Sequence, residues 1–554
     1  MTEDATRSTP TRREAVAMMG AAGALSFAQA SPVRARAGQS ATGIVFEDRS
    51  GTGLRAPGDP GIADVLVSNG REVVKTDRDG RYALPIGDEG LIFVVKPPGY
   101  APCLDENNLP RFTTLHQPQG TPAALGLRFE GVAPTGPLPA SIDFPLIRTR
   151  EPSTFDVILF TDPQPQSAAE LSYVRDTAIA SALGTEAAFG MTLGDILFDD
   201  LSMYPRYNRL IGQVGIPWWH IGGNHDLNYE APDARRSRET FKRVYGAPYY
   251  AFHYGDALFL MLDNVRWLGP GNGYEGRFSD EQLAFVANVL AQTPREKLVV
   301  AAMHIPLATA AEGHRPDHAC VNADALLKLL EGRPAFSVSG HTHTTEHHYL
   351  GADSHHHHVL TAVSGSWWSG PLDRAGIACA DSWDGSPNGY HVLCVDGARY
   401  TTRFVPLSTP ADKAMRISLE RRGRRPDATI EDRLGPTVAA DALGATDLVV
   451  NVFDGGPRTL VSCRIAGFEP FVLERSYRPD PFVAQVFSRN ADTKKSWVEA
   501  IPSTHLWTAH LPADLPVGTH RADIRVTDEY GREHRDSLVV EVTGGRHGAM
   551  ASRS

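Results

Sequence analysis

Apolar runs and amphipathic segments alternate along residues 152–405. Segments 280–290 and 322–330 have the apolar spacing of helices that bury one face. The runs between them are apolar at nearly every position, which is typical of strands covered on both faces. Together these patterns predict an α/β domain in the middle of the chain.

Shorter apolar runs, separated by turn residues, lie on both sides of this domain. They occur at 43–46, 65–70, 82–85, 91–95, 448–453, 482–487 and 537–542. Runs of this length and spacing predict an all-β sandwich over 41–148 and a second β-rich sandwich over 412–545. The turn at 76–82 resembles that of the prealbumin or carboxypeptidase-regulatory sandwiches. Asp77, Asp79 and Asp88 fit either a plain Asp-Gly hairpin, which we favour, or a calcium loop. The stretches 131–139 and 421–426 are typical of linkers.

Residues 1–30 have the pattern of a bacterial export signal. Arg12 and Arg13 precede a stretch rich in Gly and Ala, and small residues at 28–30 fit a cleavage site. We therefore expect a twin-arginine type signal and a periplasmic or extracellular mature protein. A chance pair of arginines in a disordered tail is the alternative. No other run approaches the roughly 18 apolar residues of a membrane helix, so no transmembrane segment is expected.

Charge and cysteine content exclude several classes of protein. The chain has 554 residues, a length that fits about three domains, and its net charge is −11. A surface of that sign repels phosphate backbones, so we expect no nucleic-acid surface. The five cysteines are widely spaced without a C-x-x-C pair, which argues against a disulfide scaffold and a cysteine-ligated zinc site.

Histidine is distributed unevenly. Eleven of the 21 histidines lie between residues 304 and 358, which indicates a metal site or a histidine-dependent active site. Four of them, at 355–358, are consecutive. We expect this run either to line the mouth of the site, to bind metal adventitiously, or to be a surface feature without a role.

Five apolar runs of the middle domain each end at a polar cluster. Ligands of α/β sheets collect outside the carboxyl ends of the strands. The polar side chains that follow these five runs are Asp162, Gln164, Asp195, Asn224, His304, His341 and His343. They supply enough oxygen and imidazole for two divalent metal ions.

In this order the motifs resemble those of the calcineurin-like metallophosphoesterases. The family pattern is D-x-H, G-D-x-x-D, G-N-H-D/E, a lone His and G-H-x-H. The chain has Asp162-x-Gln164, Gly194-Asp195, Gly223-Asn224-His225-Asp226, His304 and Gly340-His341-x-His343. The resemblance implies a two-sheet β sandwich flanked by helices, and a dinuclear-metal-dependent hydrolase of phosphate esters.

The resemblance also implies a role for each residue. One metal would be held by Asp162, Gln164, Asp195 and His343, and the other by Asp195, Asn224, His304 and His341. A hydroxide shared by the two metals would attack phosphorus. His225 would be the general acid that protonates the leaving oxygen, and Asp226 would orient it.

Two positions depart from the family pattern. Gln164 stands where the family has His, and its harder amide oxygen favours Mn²⁺ or Fe²⁺ over Zn²⁺, which remains an alternative. Gln164 could ligate the metal directly or bond a metal-bound water. The family's second Asp is replaced by Phe198, and Asp199 lies one residue further on. Purple acid phosphatases have Tyr at this position, so an iron–phenolate centre is not available here.

Other interpretations stay open at the level of the sequence. The chain could be a non-catalytic exported binding protein with a relic metal domain, or a metallohydrolase of a pyrophosphate or phospholipid bond. Its substrate could be a small-molecule, lipid or sugar phosphate ester, cleaved as a monoester or a diester. The aromatic loops 365–370 and 387–391 could form a substrate wall or pack against the sandwiches. Four arginines could clamp a phosphate or be solvated helix charges: Arg206, Arg209, Arg235 and Arg236.

Overall fold

The computed structural model describes residues 39–311, 315–352, 354–423 and 429–544. The predicted export signal therefore lies outside the described residues. Within these residues, no helix combines the length and the apolar character needed to cross a membrane.

The N-terminal region is built from nine described strands in two sheets. The strands are β1 (Gln39–Glu47), β2 (Leu66–Ser68), β3 (Val73–Lys75), β4 (Arg81–Ile86), β5 (Gly90–Val95), β6 (Tyr100–Leu104), β7 (Pro110–Arg111), β8 (Thr113–His116) and β9 (Phe144–Arg148). One sheet has the order β4-β1-β9-β6-β7 and the other β3-β2-β5-β8. In β4 every second residue is buried, which is the period expected of a strand with one covered face.

The middle region contains thirteen described strands and six helices. The strands are β10 (Thr154–Phe160), β11 (Phe189–Leu193), β12 (Trp218–Ile221), β13 (Tyr250–Tyr254), β14 (Ala257–Met261), β15 (Val265–Trp267), β16 (Tyr274–Gly276), β17 (Leu298–Ala302), β18 (Ala335–Ser339), β19 (Glu346–Leu350), β20 (His355–Val359), β21 (Gly389–Asp396) and β22 (Arg399–Pro406). The helices are α1 (Ala168–Val174), α2 (Ala180–Ala182), α3 (Tyr204–Ile211), α4 (Glu239–Tyr245), α5 (Asp280–Ala291) and α6 (Ala323–Leu330).

Two mixed sheets of the middle region form the predicted two-sheet sandwich, which confirms the fold class. Their orders are β12-β11-β10-β21-β22 and β13-β14-β17-β18-β20-β19. Strands β10, β11 and β12 are parallel neighbours in the first sheet, and β17 and β18 are parallel neighbours in the second. These are the five apolar runs that end at the polar clusters, so the carboxyl ends of both sheets can contribute to one site.

The N-terminal region packs directly against the middle region. Strand β5 continues into the second sheet through a bridge between Lys96 and Phe252. The Lys96 ammonium lies 2.5 Å from a Glu151 carboxylate oxygen and 2.5 Å from the His253 carbonyl oxygen, and it is almost fully buried. Pairing of this kind is required because an isolated buried ammonium would be strongly destabilising.

The C-terminal region adds two further sheets and two helices. Its strands are β23 (Met415–Arg421), β24 (Thr437–Ala439), β25 (Thr446–Val452), β26 (Leu460–Ile465), β27 (Phe471–Val472), β28 (Glu474–Pro479), β29 (Pro502–His510), β30 (Gly518–Thr527) and β31 (Glu533–Thr543), and its helices are α7 (Ile430–Leu434) and α8 (Pro481–Arg489). The sheets have the orders β23-β25-β29-β28 and β24-β31-β30-β26-β27.

One predicted strand of this region is wrong, because residues 482–487 belong to helix α8. The Asp480 carboxylate caps this helix by accepting a hydrogen bond from the Phe482 N–H, and Pro481 occupies its first turn. Both features are standard signals for the start of a helix. Val483, Val486 and Phe487 are buried along one face, so the apolar run has a helical period that its short length concealed.

Candidate metal centre

All seven predicted ligands lie in the loops that follow the five parallel strands. Asp162 and Gln164 follow β10, Asp195 follows β11 and Asn224 follows β12, while His304 follows β17. His341 and His343 follow β18. The structure therefore brings together residues from both sheets that are up to 181 positions apart, from Asp162 to His343. Their role as ligands stays a prediction.

The backbone at these positions is unusual. Among the described residues, eleven other than glycine have positive φ, and five of them are predicted ligands: Asp162, Gln164, Asp195, His341 and His343. Such conformations cost about 1–3 kcal/mol each and persist only where the surroundings impose them. These conformations lie at the ends of β10, β11 and β18, where the chain leaves the sheets.

The glycines of the motifs make room for ligands from other loops. An added Cβ at Gly194 would lie 2.4 Å from His304 Nδ1, one at Gly223 would lie 2.1 Å from an Asp195 carboxylate oxygen, and one at Gly340 would lie 2.2 Å from an Asp162 carboxylate oxygen. Each glycine therefore permits a contact between two motifs that are distant in sequence.

Three polar side-chain atoms surround Nε2 of His304. Its Nε2 lies 3.0 Å from Asn224 Oδ1, 3.2 Å from His341 Nδ1 and 3.3 Å from Asp195 Oδ1. The ligand atoms of Asp195, His304 and His341 all lie within 4.8 Å of one another. This is the donor set predicted for the second metal.

Hydrogen bonds on the far side of each ring determine which nitrogens carry protons. His304 Nδ1 lies 2.9 Å from the Leu193 carbonyl oxygen, and His341 Nε2 lies 2.8 Å from the Asp317 carbonyl oxygen. A carbonyl oxygen only accepts, so both of these nitrogens are N–H donors. Burial lowers the pKa of His304, but Asp195 outweighs this effect and raises the pKa to about 9, so without a cation Nε2 of His304 carries a proton. A divalent cation between His304 Nε2 and His341 Nδ1 would replace that proton.

The predicted first-metal residues leave two buried atoms without a hydrogen-bond partner. Gln164 donates through Nε2 to Asp195, and its Oε1 has no partner. His343 donates through Nδ1 to the Gly365 carbonyl, and its Nε2 has no partner. Unsatisfied buried polar atoms are rare, and these two are an oxygen and an imidazole nitrogen that suit a divalent cation. The residues present therefore fit the metals that the resemblance implies.

The carboxylates of the site have opposite pKa shifts. Burial raises the pKa of Asp162 to about 7, although His304 opposes this. Burial also acts on Asp195, but the neighbouring histidines outweigh it and lower the pKa of that carboxyl. Asp195 is thus the residue held as a charged carboxylate, which suits its predicted bridging position.

His225 lies beside this group, and its ring partner differs from the prediction. Its Nδ1 lies 2.7 Å from an Asp199 carboxylate oxygen, and Phe198 stacks on the ring with centroids 4.1 Å apart. Asp226 instead accepts hydrogen bonds from the Gly223 and Ile196 N–H groups and from the Tyr204 hydroxyl.

The prediction that Asp226 orients His225 is therefore corrected. The buried Asp226 carboxylate is occupied with holding two loops, and Asp199 contacts the ring. Burial lowers the pKa of His225, but Asp195, Asp199 and, least, Asp226 raise it above its ordinary value. The φ of +65° at Asp199 turns the chain so that its carboxylate reaches the ring, a local conformation that motif spacing alone does not reveal.

Of the four arginines that could clamp a phosphate or be solvated helix charges, three bond other side chains and one is exposed. Arg235 and Arg236 pair with Glu89 of the N-terminal region, Arg206 bonds Ser172, and Arg209 is exposed on α3. Arg238 is the arginine that reaches the site loops. It is buried, donates to the Gly222 and Gly223 carbonyls and pairs with Asp263 at 2.9 Å. Sequence reasoning named Arg235 and Arg236 and missed Arg238, because nothing in the local pattern distinguishes three arginines within four residues.

The first aromatic loop reaches the site, while the second is largely a strand. Trp367 stacks on His343 with ring centroids 4.0 Å apart and packs edge-on to Trp383. Trp497 of the C-terminal region lies 6.3 Å from Trp367 and 6.2 Å from Phe198, measured between ring centroids, and is 48% exposed. Residues 389–391 begin β21.

Sequence profiles of three families match successive parts of the chain. The profile of the N terminal of Calcineurin-like phosphoesterase matches residues 50–130, that of Calcineurin-like phosphoesterase matches 156–345, and that of the C terminal of Calcineurin-like phosphoesterase matches 357–534. Among curated proteins, none is similar enough to count as a match.

Two solved structures resemble the chain weakly. A dimetal phosphatase from Danio rerio is 15% identical, with 45% of this chain and 98% of that chain covered and a TM-score of 0.29. A purple acid phosphatase from yellow lupin (Lupinus luteus) seeds is 13% identical, with 62% of this chain and 67% of that chain covered and a TM-score of 0.34. The family assignment rests on the sequence profiles and not on these structures.

Gly223→Ala tests whether close packing of the glycines maintains the site. Gly223 has φ −98°, which alanine adopts without strain, so the effect should come only from the clash with Asp195. We expect Mn²⁺ affinity to fall by about 10–100-fold while the fold is retained. Metal titration and circular dichroism measure the two effects. Gly444→Ala, where an added Cβ meets nothing within 4 Å, is the control, and equal affinity in the two variants would contradict the prediction.

Proposed function

Since the chain belongs to the calcineurin-like phosphoesterase family, we propose that it is an exported hydrolase of small-molecule phosphate esters that uses two divalent cations. The observation that supports this most is the convergence of the candidate ligands, since His304 Nε2 lies within 3.3 Å of side-chain atoms of Asn224, His341 and Asp195. Export is part of the proposal and rests on the arginine pair and apolar stretch of residues 1–30.

The residues of the site divide the work in this proposal. Two bound cations would lower the pKa of a water held between them and offset the charge of the phosphoryl oxygens. Asp195 stays ionised and spans the two groups of ligands, while the Leu193, Asp317 and Gly365 carbonyls fix the three ligating rings through their far nitrogens.

His225 is proposed as the group that protonates the leaving oxygen. Its ring is partly exposed, with 20% of the side chain accessible, so it can reach a substrate. A general acid must be protonated at the working pH, and the raised pKa favours that form. Asp199 is not a predicted ligand, so its carboxylate keeps supporting the imidazolium when cations neutralise Asp195.

Metal removal and three substitutions test the function. We expect the purified mature protein to hydrolyse p-nitrophenyl phosphate or its bis-ester with Mn²⁺ and to lose activity in EDTA. Asp195→Ala and His304→Ala should abolish turnover because they disrupt the centre. His225→Ala should retain metal and lower kcat by about 10²–10⁴-fold, most for alkyl esters with poor leaving groups.

Metal analysis separates this proposal from its rivals. A chain that binds less than one transition metal and hydrolyses no ester would favour the binding-protein interpretation. Activity restricted to pyrophosphates or phospholipids would favour the interpretation in which the metals are the same but a different bond is cleaved. If His225→Ala loses metal as completely as His304→Ala, the proposed role of His225 is wrong.

Asp199→Asn should shift the pH–rate profile. A general acid loses activity as the pH rises through its pKa, so the alkaline limb reports His225. Removing the Asp199 charge lowers that pKa, and we expect the limb to move to lower pH by about one unit. Asp200→Asn is the control because the Asp200 carboxylate bonds Ser202 rather than the ring. An unchanged limb in Asp199→Asn would contradict the assignment.

Gln164→His tests how residue 164 contributes. The unpartnered Oε1 of Gln164 favours direct coordination through a weaker donor than imidazole. We then expect Gln164→His to tighten the first site, shift its preference toward Zn²⁺ and raise the rate at limiting metal. If Gln164 only bonds a metal-bound water, the substitution should instead lower the rate without better metal retention. Metal content after dialysis, measured with the rate, distinguishes the two outcomes.

A further inference from the structure

A second group of histidines shares no residue with the candidate metal centre. His347 and His358 face each other across β19 and β20, His391 lies on β21, and Asp454 follows β25. The Nε2 atoms of these three rings lie 3.3, 3.0 and 3.2 Å from the same Oδ1 of Asp454. All three imidazole side chains are fully buried.

The period of β20 explains how the run of consecutive histidines is used. Successive side chains of a strand point to opposite faces, so His358 and His357 point in opposite directions. His357 accepts a hydrogen bond from the Leu307 N–H at 3.1 Å and contacts the Ser337 hydroxyl at 2.7 Å. Residues 356–358 are buried, so the surface role among the expectations for this run is wrong for them.

Two of the three rings around Asp454 are held through their second nitrogen. His347 Nδ1 lies 2.9 Å from His356 Nε2, and His358 Nδ1 lies 3.2 Å from the Thr402 hydroxyl oxygen. Ligating histidines are commonly fixed in this way by a hydrogen bond on the far side of the ring. These contacts aim both Nε2 atoms at Asp454.

Hydrogen bonding alone would require three N–H groups to donate to one carboxylate oxygen. A cation among these atoms would instead use one lone pair from each. Zinc bonds of about 2.0–2.2 Å in a tetrahedron separate neighbouring ligand atoms by about 3.3–3.6 Å. The nitrogen–oxygen separations of 3.0–3.3 Å lie at or slightly below this range, and the ligand atoms of His347, His358 and Asp454 all lie within 4.8 Å of one another.

We propose that His347, His358, His391 and Asp454 bind a divalent cation, preferentially Zn²⁺, as a structural site. Two imidazole nitrogens and the Asp454 carboxylate oxygen form the compact core of this site. His391, whose Nε2 lies 3.2 Å from the same oxygen, would complete a tetrahedral set after a shift of its ring. The histidines come from both sheets of the middle region, and Asp454 comes from the C-terminal region. The cation therefore links the two sheets of the middle region to the C-terminal region.

The cluster also has a route for the ion to enter. Asp454 has 14% of its side chain exposed and lines a cavity of about 290 Å³ together with Arg403, Asp528 and His534. An ion can thus reach the carboxylate first and then the buried rings. The proposal is independent of the phosphoesterase activity, since none of the four ligands belongs to the candidate centre.

Counting bound zinc in matched variants tests the site. The full chain is stripped with a chelator, and Zn²⁺ is titrated into the wild type, Asp454→Asn and His304→Ala. We expect Asp454→Asn to bind one equivalent less than the wild type, whereas His304→Ala retains that equivalent. Asp523→Asn, a change at an exposed carboxylate of the same region, should bind as the wild type does. Asparagine keeps an oxygen that accepts hydrogen bonds. If hydrogen bonds alone hold the cluster together, Asp454→Asn should therefore bind as much zinc as the wild type.

Cobalt supplies an independent readout that does not depend on the Asp454 variant folding. Co²⁺ added to Asp195→Ala, which lacks the residue shared by both sites of the candidate centre, should produce the intense visible absorption of a tetrahedral ion and raise the unfolding temperature. Equal zinc stoichiometry in folded wild type and Asp454→Asn would overturn the proposal. If Asp454→Asn does not fold, Asp195→Ala decides the question: the absence of bound zinc and of the cobalt bands would overturn it.

Discussion

Electron-rich atoms from two sheets face each other at one point, and the site depends on this convergence. His304 and His341 come from the second sheet, and Asp195 and Asn224 come from the first. Without a cation, Gln164 Oε1 and His343 Nε2 are buried without a hydrogen-bond partner. A cation bound as proposed would satisfy these atoms, and metal binding would then be coupled to the packing of the two sheet ends.

This convergence explains why small residues and strained turns occur together. The side chains can approach only because Gly194, Gly223 and Gly340 have no Cβ. Five of the seven predicted ligands also have positive φ. Each strained turn is destabilising by itself, so hydrogen bonds such as those from Arg238 to the Gly222 and Gly223 carbonyls must hold the loops.

The sequence predicts which side chains converge at the site, but it does not predict the hydrogen-bond partners of the residues around them. A strand end followed by Asp, Asn or His is a local pattern, and parallel strands bring such ends to one edge. The hydrogen-bond partners of Asp226 and Asp199 depend on the backbone conformation of single loop residues. The periodicity of apolar residues carries no information about that conformation. Residues 482–487 show the same limit, since a short apolar run fits a strand or a helix until its cap at Asp480 is recognised.

Phe198 and Asp199, the two residues at and after the position of the family's second Asp, both contact the ring of His225. Phe198 takes the position of the family's second Asp and stacks on His225, while Asp199 reaches the edge of the same ring through its left-handed backbone. The Tyr229 hydroxyl donates to the same carboxylate at 2.8 Å, which further fixes its direction. One face and one edge of the imidazole are thus held by neighbouring residues. With Phe198 in the position of the family's second Asp, the ring is constrained and no carboxylate is added to the predicted ligands at that position. The Asp199 carboxylate lies instead next to the proton that His225 is proposed to donate.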